Sequence, residues 1–240
     1  MQHSVVKPDE QVVKNNKFFT TQNICLLAML SCASFLLIKF LKLPPLPFFP
    51  SFLQIHFSYI PILLACFMLG MQGGLTVVVI RSLLGLLFGS DAAYIDSIAD
   101  FIIGVALVLP TCLIYSQNRT RRGALLAMLV ATAFVCFAAI LLNRFLLIPL
   151  YVQVYFKGDW DMLLGMVSSL YPNITLQSFY NYYLWLAVLP FNLAWAVPSC
   201  IITFFLYRPL ELILKQIQAR QKVRYIVDSN CEIDDGESAK

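Results

Sequence analysis

Charged side chains are scarce in this sequence. Asp, Glu, Lys and Arg make up 12% of the 240 residues, apolar residues make up 60%, and the mean hydropathy is +0.76. Soluble domains contain about 25% charged residues and about 45–50% apolar ones. We therefore expect lipid to surround most of the chain. Because one transmembrane helix uses about 20 residues, a single bundle of spans accounts for nearly the whole length.

Side chains that commonly perform catalysis or hold metal ions are also few. The two histidines, His3 and His56, lie far apart, and the seven cysteines include no C-x-x-C pair. The motifs G-x-x-x-x-G-K-[ST], H-E-x-x-H and G-x-S-x-G are absent. We therefore expect no enzymatic activity, no ATP hydrolysis by the chain itself, no bound metal and no cofactor.

The apolar residues fall into six segments. They run from Thr21 to Leu41, Tyr59 to Met71, Leu75 to Phe88, Ile95 to Tyr115, Gly123 to Ile148 and Phe179 to Tyr207. The second and third are short, and only Gln72, Gly73 and Gly74 separate them. We predict that they form a tight helical hairpin whose two arms both cross the membrane, because an open loop facing lipid would leave backbone groups unpaired. The alternative is a five-span protein in which this pair is one kinked helix.

The positive charges decide between these topologies. With six spans and a cytoplasmic N-terminus, twelve of the seventeen Lys and Arg residues lie on the inner side, against three on the outer side, Lys39, Lys42 and Lys157. With five spans, the basic loop Arg119–Arg122 would lie opposite the N-terminus, against the positive-inside bias. We therefore expect six spans with both termini in the cytoplasm. The net charge of +4 then reflects membrane topology, and we expect no nucleic-acid binding.

The predicted organisation has three parts. Residues 1–20 form a cytoplasmic N-terminal segment, too long and polar to begin a secretory signal. Residues 21–207 form the six-span domain, and residues 208–240 combine a basic amphipathic helix, suited to the inner surface of the lipid bilayer, with an acidic cytoplasmic tail.

Between the first two spans, the Pro-rich stretch from Leu43 to Phe52 cannot be helical, although it is as apolar as a span. We expect it to lie against protein as a lid or plug.

Polar side chains inside the predicted spans are the candidates for a functional site, because an ionised one costs about 2.5–3.5 kcal/mol at the bilayer centre. They are Arg81, Asp96, Asp100, Asn143, Arg144 and Asn192. Asp96 and Asp100 share a helical face, and Arg81 either neutralises one of them or contacts a ligand. Arg144 is expected to snorkel to the lipid headgroups. The two asparagines either hydrogen-bond the edge of a planar heterocycle or join neighbouring helices.

Small residues lie on one side of the first span. Ala28 and Cys32 are four positions apart, and small residues at that spacing let another helix approach closely. The spacing fits docking of a partner protein and packing within the bundle equally well.

Several stretches of this sequence together resemble one known family. They are LPFFPSFL at 46–53, FSYIP at 57–61, LVLP at 107–110, NRFLLIPLY at 143–151 and LPFNL at 189–193. In their order, their spacing and their placement relative to the six spans, they resemble the substrate-binding S components of energy-coupling factor (ECF) vitamin transporters. The resemblance is strongest to the riboflavin-type members of that family.

The resemblance implies an all-α membrane protein, a six-transmembrane-helix bundle of the ECF S-component type, which binds a vitamin in an outward-facing pocket at the cell membrane. It also implies two kinds of partner, a membrane-embedded T component and two ATPase subunits, which would supply the energy that this chain cannot. Ala28 and Cys32 would form the docking face. The Pro-rich stretch, with Phe49 and Phe52, would be the lid over the pocket.

The resemblance also implies which side chains contact the ligand. Carried over by position, Asn143 and Asn192 are expected to hydrogen-bond a flavin ring. Asp100, Arg81 and Trp195 are added as candidates on their own chemistry rather than from the resemblance, and with the two lid phenylalanines they complete the substrate-binding set. Riboflavin would be the transported ligand, and no resident cofactor is expected.

Some positions depart from the family pattern. Trp195 stands where Lys is usual, His56 and Tyr59 stand where acidic residues are common, and Asp100 replaces a usual Asn. Loss of the amine removes a charge-assisted bond of about 1.5–3 kcal/mol, while Trp195 offers a face that stacks on a flat ring. The expected function is capture of riboflavin or a related flavin for uptake. Another vitamin or a nucleobase-like compound is the alternative ligand, and a membrane-integral enzyme or scaffold is the remaining alternative.

Overall fold

The computed structural model describes residues 20–41, 43, 53, 55–88, 91–168 and 175–237, and nearly all of them are helical. The helices are α1 (Thr21–Phe40), α2 (Tyr59–Leu87), α3 (Asp91–Gln117), α4 (Arg121–Leu142), α5 (Ile148–Val154), α6 (Trp160–Ser168), α7 (Leu176–Tyr182) and α8 (Leu189–Glu237). A π-helical segment at Asn143–Leu147 joins α4 to α5, and another at Tyr183–Val188 joins α7 to α8. The all-α fold predicted from the sequence is therefore confirmed.

Helix α2 is folded back on itself. Gly70 has φ 73° and ψ −163°, which breaks the helix. Nη1 of Arg81 donates to Oγ of Ser58 over 2.8 Å although 23 positions separate the two residues. In a straight helix they would lie about 34 Å apart, at about 1.5 Å per residue. The two arms are therefore antiparallel neighbours, and the predicted hairpin is confirmed.

The turn of this hairpin differs in detail from the prediction. It lies at Gly70 rather than in the stretch 72–74, and Gly73 and Gly74 are buried inside the second arm. A Cβ at position 74 would lie 2.5 Å from Sγ of Cys66 and 3.0 Å from Cγ1 of Val108. These glycines are therefore needed for the close approach of the arms rather than for the turn, a role that their position in the sequence does not reveal.

Side-chain contacts show which helix ends lie together. At one end of the bundle the ring of Phe67 lies 4.8 Å from that of Tyr115 and 5.1 Å from that of Tyr207. At the other end, Nζ of Lys39 donates to the carbonyl of Phe88 over 3.0 Å. Tyr115 lies just before the loop after α3 and Tyr207 at the end of the last span, whereas Lys39 lies in the last turn of α1. The loop and the end of the last span therefore lie on the side where α1 begins.

Five helices in the described part of the chain are long and apolar enough to cross a membrane. Tyr59–Leu87 is one of them, and its two arms bring the number of crossings to six. The most apolar stretch of α1 is 17% buried, against 39–56% for the other four helices. Helix α1 therefore lies at the edge of the bundle, with one side packed against it.

The last two spans are longer than predicted. One helical run extends over Arg121–Val154, and α8 continues without a break to Glu237, through Pro198 and Pro209. A helix of this length measures about 74 Å, which exceeds the hydrocarbon core of about 30 Å. The last span and the basic segment after it, which were predicted as separate elements, are therefore parts of one helix.

Candidate functional site

A cavity lies between the helices, at the end of the bundle opposite Phe67 and Tyr207. Its lining includes Asp100, Asn143, Asn192 and Trp195, four of the predicted substrate-binding residues. They come from α3, from the π-helical segment after α4, and from α8. The structure therefore brings together side chains that lie up to 95 positions apart in the sequence.

Asn143 is the first residue of its π-helical segment and is 7% exposed. Its Nδ2 donates to the carbonyl of Ala139 over 2.8 Å, and its Oδ1 accepts a hydrogen bond of 3.0 Å from the hydroxyl of Tyr183. Tyr183 also lines the cavity and is itself the first residue of the second π-helical segment. Such segments widen a helix locally and are frequent at functional sites.

Asn192 is held in the same way. It is 5% exposed, its Nδ2 donates to the carbonyl of Val188 over 2.8 Å, and its Oδ1 accepts a bond of 3.2 Å from Nε1 of Trp195. A primary amide offers two N–H donors and an oxygen with two lone pairs. These contacts use one donor and one lone pair, so Asn192 keeps one of each.

Trp195 stacks on a protein ring. Its ring centroid lies 4.3 Å from that of Tyr59 with an interplanar angle of 22°, and Tyr59 stacks in turn on His56 at 5.5 Å. All three side chains line the cavity. Three of the positions that depart from the family pattern therefore form one row of rings along a wall of the cavity.

Asp100, which also lines the cavity, belongs to a polar cluster beside this row of rings. The hydroxyl of Tyr59 donates to Oδ1 of Asp100 over 2.8 Å, and Nε2 of His56 lies 3.8 Å from the same oxygen. Nη2 of Arg81 donates to the backbone carbonyl of Asp100 over 2.9 Å and lies 3.9 Å from Oδ2. Of the two roles considered for Arg81, the geometry favours the neutralising one.

Arg81 itself is 2% exposed and is not among the cavity-lining side chains. Its guanidinium carbon lies 4.7 Å from the centre of the Tyr59 ring. It therefore contacts two residues that line the cavity, and any effect on a ligand would pass through them. Arg144 is exposed, with its guanidinium carbon 5.1 Å from the ring centre of Tyr180, and its snorkelling to the headgroups stays a prediction.

Two tyrosines of the cavity were not identified from the sequence. Tyr183 contacts Asn143, and the hydroxyl of Tyr151 donates to Oδ1 of Asp96. Both tyrosines and Asp96 line the cavity. Their chain positions gave one indication, because Tyr151 closes the stretch NRFLLIPLY. Tyr183 was indistinguishable from the other tyrosines near the membrane interface.

The remaining predicted residues lie outside the cavity or outside the described residues. Phe49 and Phe52 belong to the latter group, while Leu53, which follows them, lines the cavity. Ala28 and Cys32 are exposed on α1, whereas Ser34 faces the bundle and donates to the carbonyl of Ser58 over 2.6 Å. Within the described residues, no three His, Cys, Asp or Glu side chains are grouped as metal ligands would be.

Residues 22–210 match the family described as ECF transporter, substrate-specific component. The chain belongs to this family. It is 30% identical to riboflavin transporter RibU of Staphylococcus aureus over 80% of this chain and 91% of that protein. It is 28% identical to RibU of Streptococcus thermophilus, over 86% and 92% of the two chains.

A solved structure supports the same assignment. It is described as "Structure and mechanism of the S component of a bacterial ECF transporter", and it superposes with a TM-score of 0.61 at 28% identity, over 81% of this chain and 98% of that one. The protein is therefore a substrate-binding membrane component of a transporter and not an enzyme.

Proposed function

We propose that this S component binds riboflavin, or a closely related flavin, and serves its uptake into the cell. The observation that carries the proposal is the pair of buried amides, Asn143 and Asn192, on the lining of one cavity. Each keeps one N–H donor and one acceptor lone pair. A flavin ring carries carbonyl and N–H groups along one edge, and these complement the two amides. The relatives named riboflavin transporters support the same ligand.

The rest of the cavity suits a flat ligand with an apolar body. Trp195, Tyr59 and His56 present a row of rings, and aliphatic side chains such as Leu53 and Ile103 line other parts. Burial of apolar surface would supply most of the affinity, at roughly 25 cal/mol per Å². Polar groups placed at the ring edge would supply selectivity, because an analogue that leaves buried groups unpaired is rejected.

The energy for uptake would come from partner subunits, a membrane T component and two ATPases. The sequence contains no phosphate-binding loop of its own. Ala28 and Cys32 are exposed on α1, the helix with the lowest burial among the spans. Small residues on an exposed helix face allow close approach of a partner helix, which supports this face as the docking site.

The orientation that we propose places both termini and the loop Arg119–Arg122 in the cytoplasm. The six crossings put the start of α1, this loop and the end of the last span on one side, and twelve of the seventeen basic residues then lie there. The positive-inside bias assigns that side to the cytoplasm. The cavity would then open towards the outside of the cell membrane.

The ligand is tested with the purified, detergent-solubilised protein. Riboflavin is titrated with the protein while flavin fluorescence is followed, and thiamine and adenine serve as control ligands. Saturable binding of riboflavin at micromolar concentration or below, without binding of the controls, is the expected result. Absence of riboflavin binding would contradict the proposal and favour another vitamin, with Trp195 as the first position to examine. Uptake of labelled riboflavin by cells with and without the partner subunits tests the transport step.

A further inference from the structure

We propose that Tyr183 and Trp195 are positioning residues, which fix the orientation of the amides of Asn143 and Asn192 and thereby set the selectivity of the cavity for an imide edge. The inference rests on the proposed function, because it concerns how the same cavity would recognise a flavin. In this role the two aromatic side chains act through their hydrogen bonds to the amides, in addition to the apolar area that they bury.

The orientation of the Asn192 amide follows from the nature of its partners. The carbonyl of Val188 only accepts hydrogen bonds, and the indole N–H of Trp195 only donates them. The amide nitrogen must therefore point to Val188, at 2.8 Å, and the amide oxygen to Trp195, at 3.2 Å. The reverse orientation would place two donors against each other and two acceptors against each other.

Asn143 is constrained by an equivalent pair of partners. The carbonyl of Ala139 accepts from Nδ2 at 2.8 Å, so Oδ1 is left for the hydroxyl of Tyr183 at 3.0 Å. Both asparagines therefore combine a bond to the carbonyl four positions earlier with a bond from an aromatic donor. In both amides, the directions of the remaining N–H donor and of the remaining oxygen lone pair are therefore fixed.

The two aromatic donors are themselves held in place by stacking. The ring of Trp195 lies on Tyr59 at 4.3 Å, and the ring of Tyr183 lies on Phe179 at 5.3 Å with an interplanar angle of 7°. Tyr183 is fully buried and Trp195 is 4% exposed. Offset aromatic pairs are stabilising beyond the apolar area that they bury. The donors cannot turn away without breaking these stacks.

An imide edge, with an N–H between two carbonyl groups, matches two amides of fixed orientation. The ligand N–H donates to an amide oxygen, and a ligand carbonyl accepts from an amide N–H. Without the aromatic donor, the terminal amide torsion is broad and the amide has less reason to keep one orientation. The loss of the donor should therefore reduce discrimination between ligands more than it reduces affinity.

The test compares riboflavin with riboflavin methylated at the imide nitrogen, which cannot donate. Tyr183→Phe and Trp195→Phe keep an aromatic ring and remove the donor. The quantity compared is the dissociation constant of the methylated flavin divided by that of riboflavin. This ratio should fall by about three- to tenfold in each variant, as expected from the loss of one net hydrogen bond. Tyr207→Phe and Trp185→Phe are the matched controls. Tyr207 is buried with no partner for its hydroxyl among the described residues, and Trp185 is 61% exposed.

A double-variant cycle separates positioning from structural support. If Trp195 acts through Asn192, the effect of Trp195→Phe on the ratio should vanish when Asn192 is already Ala, because the coupling is then absent. If Trp195 has only a structural role, the effect of Trp195→Phe on the ratio should remain when Asn192 is Ala.

The outcomes distinguish this inference from the proposed function. Wild-type protein that binds riboflavin, with ratios unchanged in both Phe variants, would overturn the positioning role and leave the ligand assignment intact. Wild-type protein that binds no riboflavin would overturn both. A ratio that falls equally in the Tyr207→Phe control would also contradict the inference, because the change would then not depend on the amides.

Discussion

Arg81 of the second hairpin arm donates to Ser58 at the entrance of the first arm, with 2.8 Å between Nη1 and Oγ. The same guanidinium donates to the carbonyl of Asp100 on α3 and lies over the ring of Tyr59. One buried cation therefore links both arms of the hairpin to the neighbouring span, close to the wall of the cavity.

Replacement of Arg81 should destabilise the protein. Arg81→Met would remove two hydrogen bonds from a charged donor, each of about 1.5–3 kcal/mol, so we expect a loss of about 3–6 kcal/mol. The measurement is thermal unfolding in detergent. Arg144→Met is the control, because Arg144 is exposed and its cation–π contacts are worth about 0.5–1 kcal/mol. Equal effects of the two substitutions would contradict the assigned role of Arg81.

The hairpin turn depends on Gly70. Its φ of 73° with ψ −163° belongs to a region that only glycine adopts readily, and a Cβ there would meet no atom within 4 Å. Gly70→Ala should therefore cost about 1–3 kcal/mol through backbone strain alone. Gly165→Ala is the matched control, since Gly165 lies within α6 with equally open space. There, alanine should be neutral or stabilising by about 0.5–1 kcal/mol. Unfolding curves of both variants decide the matter.

The spans, the hairpin and the two asparagines could be predicted from the sequence, for physical reasons. Membrane crossing requires long apolar runs, and a buried polar residue in such a run is conspicuous because its burial is costly. The structure confirms that Asn143 and Asn192 reach the same cavity. Their role in binding remains a prediction.

The sequence was not sufficient for features that depend on three-dimensional contacts. The π-helical segments that begin at Asn143 and Tyr183 change the helix by a fraction of a turn, which leaves the apolar pattern unaltered. The hydrogen bonds from Tyr183 and Trp195 depend on which rings face the cavity. Likewise, Gly74 is explained by the approach of Cys66 from the other arm, which no local pattern records.

The proposed orientation can be tested by cysteine labelling with a membrane-impermeant reagent. Asp159→Cys should be labelled in intact cells, whereas Asn118→Cys, in the loop before Thr120, should be labelled only after permeabilisation. Both positions are exposed. Native Cys231 is an internal control, because it follows the last span and should behave like position 118. Labelling of position 118 from outside would contradict the cytoplasmic assignment of this loop.

The docking face on α1 gives a separate prediction. Ala28→Trp should reduce copurification with the T component and the ATPases, because a large side chain prevents close helix approach, while riboflavin binding by the isolated subunit persists. Phe137→Trp is the matched control, since Phe137 is 60% exposed on α4. Normal copurification of the Ala28→Trp variant would place the docking face elsewhere on the protein.

The last prediction concerns the two amides themselves. Replacement of Asn192 by Ala would leave a polar atom of the ligand unpaired in a buried site, at a cost of about 1–3 kcal/mol. Riboflavin affinity should therefore fall by roughly fivefold to a hundredfold, at about 1.4 kcal/mol per tenfold, and Asn143→Ala should behave similarly.

The comparison that makes this prediction specific is Arg144→Ala. Arg144 directly follows Asn143 but is exposed, and its contacts are with Tyr180 and Phe145 rather than with the cavity. Its substitution should change the dissociation constant less than either asparagine substitution does. Titration of flavin fluorescence with all three purified variants gives the answer. If Arg144→Ala weakens binding as much as Asn192→Ala, the ligand does not pair with the amides in the way proposed, and its polar edge lies nearer to the outer end of the bundle.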